Sequence, residues 1–150
     1  MKKTYHLCLS AGDEVMFRDE EDYNRGFNCF ALALHKTDSI GLVESFMSNH
    51  VHFVLKGTYS ECYAFIAEFK RICSLRMHIA NREFGGLRDV GVQFDLLDTL
   101  EYRENAIAYV LRNPLAAIHS LESHRNFFFS FFKIKNFLLF YISHFFTNRI

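Results

Sequence analysis

The sequence lacks an excess of charge of either sign, and it lacks closely spaced cysteine pairs. Its 150 residues carry 17 basic and 17 acidic side chains, so no global field indicates a nucleic acid or an acidic membrane as partner. Any nucleic-acid site must therefore be local. The four cysteines contain no C-x-x-C pair, which argues against a cysteine zinc site. Because no basic-then-apolar leader opens the chain, we expect a cytoplasmic protein with free thiols.

Nucleotide-binding loops and membrane-spanning runs are also missing. Neither G-x-x-x-x-G-K-[ST] nor G-x-G-x-x-G occurs, so we expect no nucleotide cofactor. Residues 126–150 contain half of the 18 phenylalanines, but Lys133, Lys135 and Asn136 interrupt them. A span needs about 20 mostly apolar residues, so we predict no membrane segment. The phenylalanine-rich tail either packs on the domain or on a second copy, or reflects translation past a frameshift.

Apolar runs, helical periodicity and the turn and cap residues between them predict the order strand, helix, strand, strand, helix, strand, helix. The predicted elements are strands at 4–10, 40–47, 50–56 and 92–97 and helices at 19–35, 58–82 and 99–111. The third helix should end before Pro114, because the residue preceding a proline is disfavoured in the helical region. This order predicts an α+β fold of the ferredoxin-like kind, an antiparallel sheet with two helices packed on one face and an added C-terminal helix. A chain of this length is far too short for an eightfold barrel, which needs roughly 250 residues.

Two histidines stand two positions apart in the third predicted strand. Because residues i and i+2 of a strand share a face, His50 and His52 can converge on one ion while Val51 and Phe53 face a core. Imidazole is a common ligand of divalent metals. The alternative is a histidine pair on the solvent-facing side of an edge strand. The spacing alone leaves both interpretations open.

A phenol and a carboxamide share one face of the third predicted helix. Tyr109 and Asn113 are four residues apart and therefore point the same way. A tyrosine can act as a nucleophile once a metal or a base activates it. The alternative for Tyr109 is a half-buried packing residue. Tyr102, seven residues earlier on the same face, is a competing candidate.

The two segments together match a family. The sequence MSNHVHFVL at 47–55, followed by YVLRNPLAA at 109–117, resembles the single-tyrosine HUH transposases of bacterial insertion sequences and the related tyrosine transposases associated with repetitive extragenic palindromes. That family uses a ferredoxin-like fold. The resemblance covers roughly residues 4–118, so we expect one transposase-like domain at 1–118 and a tail at 119–150 that forms no separate domain.

The resemblance implies a metal site and a nucleophile. The family's paired histidines hold a divalent metal, Mg or Mn, and they map onto His50 and His52. Its tyrosine nucleophile maps onto Tyr109, and the polar residue that completes the metal site maps onto Asn113. The implied enzyme is an endonuclease and strand transferase that cleaves and rejoins single-stranded DNA at hairpin ends through a 5′-phosphotyrosine. Arg112 stands where relatives often have another polar residue.

The expected partners follow from the same resemblance. Single-stranded DNA binding usually combines local positive charge with aromatic side chains, and our candidate DNA-binding residues are Arg71, Arg76, Arg82 and Arg88. One basic face of the second predicted helix contains Arg71, Ser74, His78 and Arg82, and the alternative for this face is that it is simply solvated. Insertion-sequence relatives pair, whereas palindrome-associated relatives can act as monomers, so a homodimer and a monomer both stay open.

Two other functions stay open from the sequence. One is a decayed or domesticated protein that binds hairpin DNA without strand transfer. The other is a small metal hydrolase, which would need a further ligand such as Asp95 or Glu101 and would leave no protein-linked product.

Overall fold

The structure is a computed structural model that describes residues 1–81, 87 and 89–120, with side chains to residue 114. Its seven elements are β1 (Lys3–Ser10), α1 (Glu20–His35), β2 (Ile40–Phe46), β3 (His50–Gly57), α2 (Tyr59–Ile79), β4 (Val92–Leu96) and α3 (Leu100–Ser120). The strands form one antiparallel sheet in the order β2-β3-β1-β4. The predicted α+β, ferredoxin-like fold is therefore confirmed.

The chain divides into two units, Met1–Leu115 and Ala116–Ile150, and the sheet with α1 and α2 belongs to the first. Residues 121–150, most of the predicted tail, lie outside the described residues, and the boundary at 118 stays a prediction. Within the described part of the chain, no helix is both long and apolar enough to cross a membrane.

Strand alternation gives the sheet two different faces. One face packs under α1 and α2 and is apolar; from β1 and β3 it receives Tyr5, Leu7, Leu9, Val51, Phe53 and Leu55. The opposite face packs partly under α3, where Val54 meets Ala106 and Val110 in a smaller apolar cluster. The alternate residues of β1 and β3 point to this second face. It therefore carries the histidines of both strands.

Phe53 anchors β3 in the larger core. Its side chain is fully buried, and its ring lies 4.9 to 5.8 Å, centroid to centroid, from the rings of Phe30, Phe46, Phe65 and Phe69. Aromatic pairs at such separations contribute beyond simple area burial. This packing holds β3 in place, and with it the two histidines on the opposite side of the strand.

The turn from β3 into α2 is closed by a capping box. The Glu61 N–H donates to Thr58 Oγ1 at 3.2 Å, and the Thr58 N–H donates to Glu61 Oε2 at 2.8 Å. These bonds satisfy donors that the first turn of a helix leaves unpaired. α2 ends at Ile79, three residues before the predicted end, and Asn81 adopts a left-handed conformation with φ of 52°. Asparagine tolerates this conformation better than most residues.

The predicted end of the third helix before Pro114 is wrong. α3 continues to Ser120 with Pro114 inside it. A proline inside a helix removes its own N–H as a donor and crowds the carbonyl four residues earlier, here that of Val110. The sequence that follows, Leu115-Ala116-Ala117, consists of strong helix formers. Tyr109 and Asn113 consequently lie within one continuous helix.

Candidate active site

The strand register brings the two predicted histidines into the interior of the sheet. β3 lies between β1 and β2; His52 pairs with Cys8 on one side and Ser45 on the other. The side chain of His52 is 4% exposed, and its ring lies 5.0 Å from that of His50. The alternative of a histidine pair facing solvent from an edge strand is therefore excluded.

A short chain of hydrogen bonds orients His50. The Asn49 amide Nδ2 donates to the Gly12 carbonyl, so its Oδ1 faces the other way and accepts from His50 Nδ1 at 2.8 Å. A ring nitrogen that donates carries the proton, which leaves Nε2 of a neutral imidazole with a free lone pair. This is the kind of outer hydrogen bond that orients histidine ligands toward metals.

A third histidine, absent from both motifs, joins the pair. His6 on β1 stacks on His52 with ring centroids 5.2 Å apart, and its Nε2 lies 3.1 Å from His52 Nδ1. Its other nitrogen lies 3.7 Å from Asp95 Oδ2 on β4. Sequence reasoning missed His6. The signal was the polar alternation of β1, in which Thr4, His6 and Cys8 occupy every second position.

Burial holds these imidazoles in the neutral form. It lowers the pKa of His52 to about 4, with smaller lowering by His6 and His50. Burial also lowers the pKa of His50, and it lowers that of His6 against the opposing effect of Asp95. Metal binding requires neutral imidazole. Near pH 7 all three rings are therefore in the neutral form that a metal ligand needs.

α3 brings Tyr109 onto the histidines. Val110 and Ala106 bury the helix against Val54, and the Tyr109 ring approaches His52 edge-on at 5.4 Å between centroids. Its side chain is 46% exposed, which leaves room for a substrate to reach the phenol. Tyr102 is equally exposed, but no ring contact joins it to the histidines within the described residues. The geometry distinguishes the two tyrosines, which the sequence could not do.

Two buried polar side-chain atoms have no hydrogen-bond partner among the described residues. They are His52 Nε2 and Asn113 Nδ2. Buried polar groups are nearly always paired, so an unpaired one requires an explanation such as an ion. A 180° rotation of the Asn113 amide would exchange its nitrogen and oxygen, so that the carbonyl oxygen would occupy the buried position of Nδ2. Carbonyl oxygen and imidazole nitrogen are both ligands of divalent cations.

The residues present fit a divalent ion with an incomplete protein shell. The candidate ligands would be the imidazoles of His50 and His52 and the carboxamide of Asn113. The described residues contain no group of three or more His, Cys, Asp and Glu side chains that could hold a metal ion. Mg²⁺ and Mn²⁺ commonly keep water or substrate oxygens in their remaining positions. Asp95, a candidate ligand for the metal-hydrolase alternative, lies beside His6, with Oδ2 3.7 Å from His6 Nδ1.

The structure places two of the four candidate DNA-binding arginines away from this face. Arg71 and Arg76 line an open groove of about 470 Å³ between α1 and α2, across the sheet from the histidines. Arg71 also makes two hydrogen bonds of 2.7 Å to Glu68, which neutralises part of its charge. Arg82 and Arg88 lie outside the described residues. A role for these four arginines in DNA binding stays a prediction.

Comparison with solved structures relates this fold to transposases. No family model and no curated protein matches the chain. A REP-associated tyrosine transposase, solved bound to a REP hairpin, superposes with a TM-score of 0.61 at 8% identity, over 77% of this chain and 68% of its own. A transposase candidate from Deinococcus radiodurans R1 superposes with a TM-score of 0.54 at 18% identity, over 75% and 91%.

These likenesses concern the fold, because both identities are low. They agree with the resemblance drawn from the two sequence motifs and confirm it for the fold. The chain has the fold of tyrosine transposases.

Proposed function

We propose that this protein is a transposase-like strand transferase that cleaves and rejoins single-stranded DNA beside a hairpin. The observation that carries the proposal is the convergence of Tyr109 with His50 and His52 on one face of the sheet. An accessible phenol lies 5.4 Å, ring to ring, from a buried imidazole whose Nε2 has no partner. The fold shared with a tyrosine transposase that was solved on a hairpin supports the choice of substrate.

In the proposed reaction Tyr109 is the nucleophile. Its Oη attacks the scissile phosphorus, an Oη–P bond forms and the P–O3′ bond breaks. The phenolic proton is transferred to the departing oxygen, which leaves as a 3′-hydroxyl, while the 5′-phosphate stays on the tyrosine. One phosphodiester replaces another, so attack by a new 3′-hydroxyl reverses the step without a nucleotide cofactor. The half-exposed position of the side chain suits attack on a bulky strand.

The proposed metal ligands are His50, His52 and Asn113. The chemistry supplied by a bound Mg²⁺ or Mn²⁺ would be Lewis-acid polarisation of the phosphate and neutralisation of developing charge. The chain's own contribution is preorganisation. Asn49 orients His50, the sheet buries His52, and α3 fixes the spacing of Tyr109 and Asn113 on one helix.

The test is a search for a covalent protein–DNA product. The full chain is incubated with end-labelled single-stranded hairpin oligonucleotides from its genomic flanks and Mn²⁺, and the products are separated on a denaturing gel. We expect label at protein mass for the wild type and none for Tyr109→Phe or with chelator. Tyr102→Phe is the matched control, because Tyr102 lies on the same helix with the same exposure and should retain the product.

Other results would favour the competing functions. Hairpin binding that survives Tyr109→Phe, with no adduct from folded, metal-loaded wild type on any flank, would identify a DNA-binding protein without strand transfer. Cleavage that releases only free DNA ends and persists in Tyr109→Phe would identify a metal hydrolase.

A further inference from the structure

We propose that His6 and Asp95 are positioning residues that hold His52 in the tautomer whose Nε2 lone pair is free to bind a metal. The inference rests on the proposed function, because it concerns the metal site of that reaction. It adds two residues from β1 and β4 that neither sequence motif contains.

Strand pairing sets the geometry of this group. β1 lies beside β3 and β4, and its register places His6 directly opposite Asp95 and two residues before Cys8, the partner of His52. The three side chains share one face of the sheet because their strands are in this register. His6 Nε2 thus reaches His52 Nδ1 at 3.1 Å while His6 Nδ1 lies 3.7 Å from Asp95 Oδ2. The second distance is that of an ion-pair contact, longer than a hydrogen bond.

Only one proton can lie between His6 Nε2 and His52 Nδ1, so two arrangements of the neutral rings are possible. In the first, His52 Nδ1 donates to His6 Nε2, and the proton on His6 Nδ1 faces the Asp95 carboxylate. In the second, His6 Nε2 donates, and the lone pair of His6 Nδ1 faces the carboxylate instead. The first arrangement directs a positive N–H dipole at the negative charge, whereas the second directs a lone pair at it.

The two arrangements also differ at the far side of His52. The first leaves a lone pair on the buried Nε2, which a metal can use. The second leaves an N–H there, with no acceptor among the described residues. Asp95 is itself held by Gln93, whose Nε2 donates to Asp95 Oδ2 at 2.9 Å. The Asp95 carboxylate therefore favours the first arrangement. Through the hydrogen bond between His6 and His52, it also determines which nitrogen of His52 carries the proton.

This arrangement also assigns a role to His6 that is distinct from ligation. Its Nε2 is occupied by the hydrogen bond to His52, and its Nδ1 faces Asp95, so no nitrogen of the His6 ring is free for an ion. Hydrogen-bond partners of metal-bound histidine typically affect metal affinity or activity by about 10- to 100-fold when they are removed. We expect an effect of that size from His6.

The experiment uses the full chain, with two readouts that need no DNA. The first is the tautomer of His52 in metal-free protein, measured from the side-chain nitrogen shifts of ¹⁵N-histidine-labelled samples, with His52→Gln to assign the signals. The second is Mn²⁺ affinity, measured by the loss of the free-ion EPR signal. His6→Phe keeps a ring to stack on His52 and removes both nitrogens, whereas His6→Gln restores an acceptor where Nε2 was.

We expect wild-type His52 to carry its proton on Nδ1 and His6→Phe to shift it toward Nε2. Mn²⁺ affinity should fall about 10- to 100-fold in His6→Phe and recover to within a few-fold of wild type in His6→Gln. Asp95→Ala should shift the tautomer in the same direction as His6→Phe. His78→Gln, an exposed position on α2, is the matched control and should resemble wild type in both measurements.

Several results would overturn the inference. Two of them concern the wild type: His52 protonated on Nε2, or no Mn²⁺ binding. A third is unchanged Mn²⁺ affinity in His6→Phe. Equal losses of affinity in His6→Phe and His6→Gln would indicate that His6 has only a packing role. A wild type that forms no DNA adduct would instead refute the proposed function. The tautomer and the Mn²⁺ affinity would still report on His6 and Asp95.

Discussion

Acid should destabilise the metal-free protein through His52. Its pKa falls to about 4 in the folded chain, against about 6.5 for an unperturbed histidine. A folded-state pKa below the unfolded value means that the unfolded chain binds the proton more tightly. The contribution of neutral His52 to the free energy of unfolding is therefore fully present above about pH 6.5 and is lost as the pH falls toward 4. The physical cause is a charge forced into a site 4% exposed, beside two other imidazoles.

The size of the effect follows from the shift. Each pKa unit corresponds to 1.36 kcal/mol, so the complete loss is about 3 kcal/mol, of which about 2 kcal/mol is reached at pH 5. Burial raises the pKa of Glu44 to about 7, and its protonation stabilises the fold as pH falls. That opposing contribution is common to any variant of His52, so a comparison between variants removes it.

The assay is urea unfolding in the presence of chelator at pH 8, 6.5 and 5. The wild type should lose about 2 kcal/mol more than His52→Gln between pH 8 and pH 5, whereas His78→Gln should follow the wild type. Equal pH dependence in wild type and His52→Gln would refute the reasoning, because it would mean that the folded chain accommodates a charged His52 at no cost.

Three further predictions concern packing, capping and the metal site. Phe53→Ala should lower the free energy of unfolding by about 3–5 kcal/mol, because the ring is fully buried among four others. Urea denaturation measures this, and a loss below about 1.5 kcal/mol would contradict the packing described. Thr58→Ala should cost about 1 kcal/mol in the same assay, since it removes the acceptor of the Glu61 N–H. Asn113→Ala should preserve the fold, measured by circular dichroism, and weaken metal-dependent adduct formation; unchanged metal dependence would remove Asn113 from the site.

The sequence predicted the elements well because their signals are local. Short apolar runs bounded by turn residues identified all four strands. Three- and four-residue spacing identified the first two helices, and a capping residue with the Asn-Pro boundary identified the third. The end of α3 was misjudged because a proline only biases the residue before it, while the whole helix includes the Leu-Ala-Ala segment that follows. Packing of Ala106 and Val110 against the sheet further stabilises the helix before the proline. Neither contribution is visible in the pair Asn113-Pro114 alone.

The candidate site was predicted in part. His50 and His52 were recognisable because two histidines at i and i+2 must share a strand face, and Tyr109 and Asn113 because i and i+4 share a helix face. His6 carried a weaker signal, a single histidine in an alternating strand. The arginines on α2 were chosen for local positive charge with nearby aromatic side chains, and neither feature specifies which layer of the fold a helix occupies. Arg71 and Arg76 accordingly lie across the sheet from Tyr109.

The sequence by itself determined which residues share a strand face or a helix face, because those relations repeat every two or four residues along one element. The tertiary structure decided which elements meet. His6 and His52 are 46 positions apart, and they touch only because β1 pairs with β3 in one register; a slip of one residue would turn every side chain to the other face. The pairing of β1 with β4 brings Asp95 beside His6, and the packing of α3 on Val54 brings the Tyr109 ring against that of His52. Local periodicity carries no information about pairing partners, so the assembled site exists only at the level of the folded sheet.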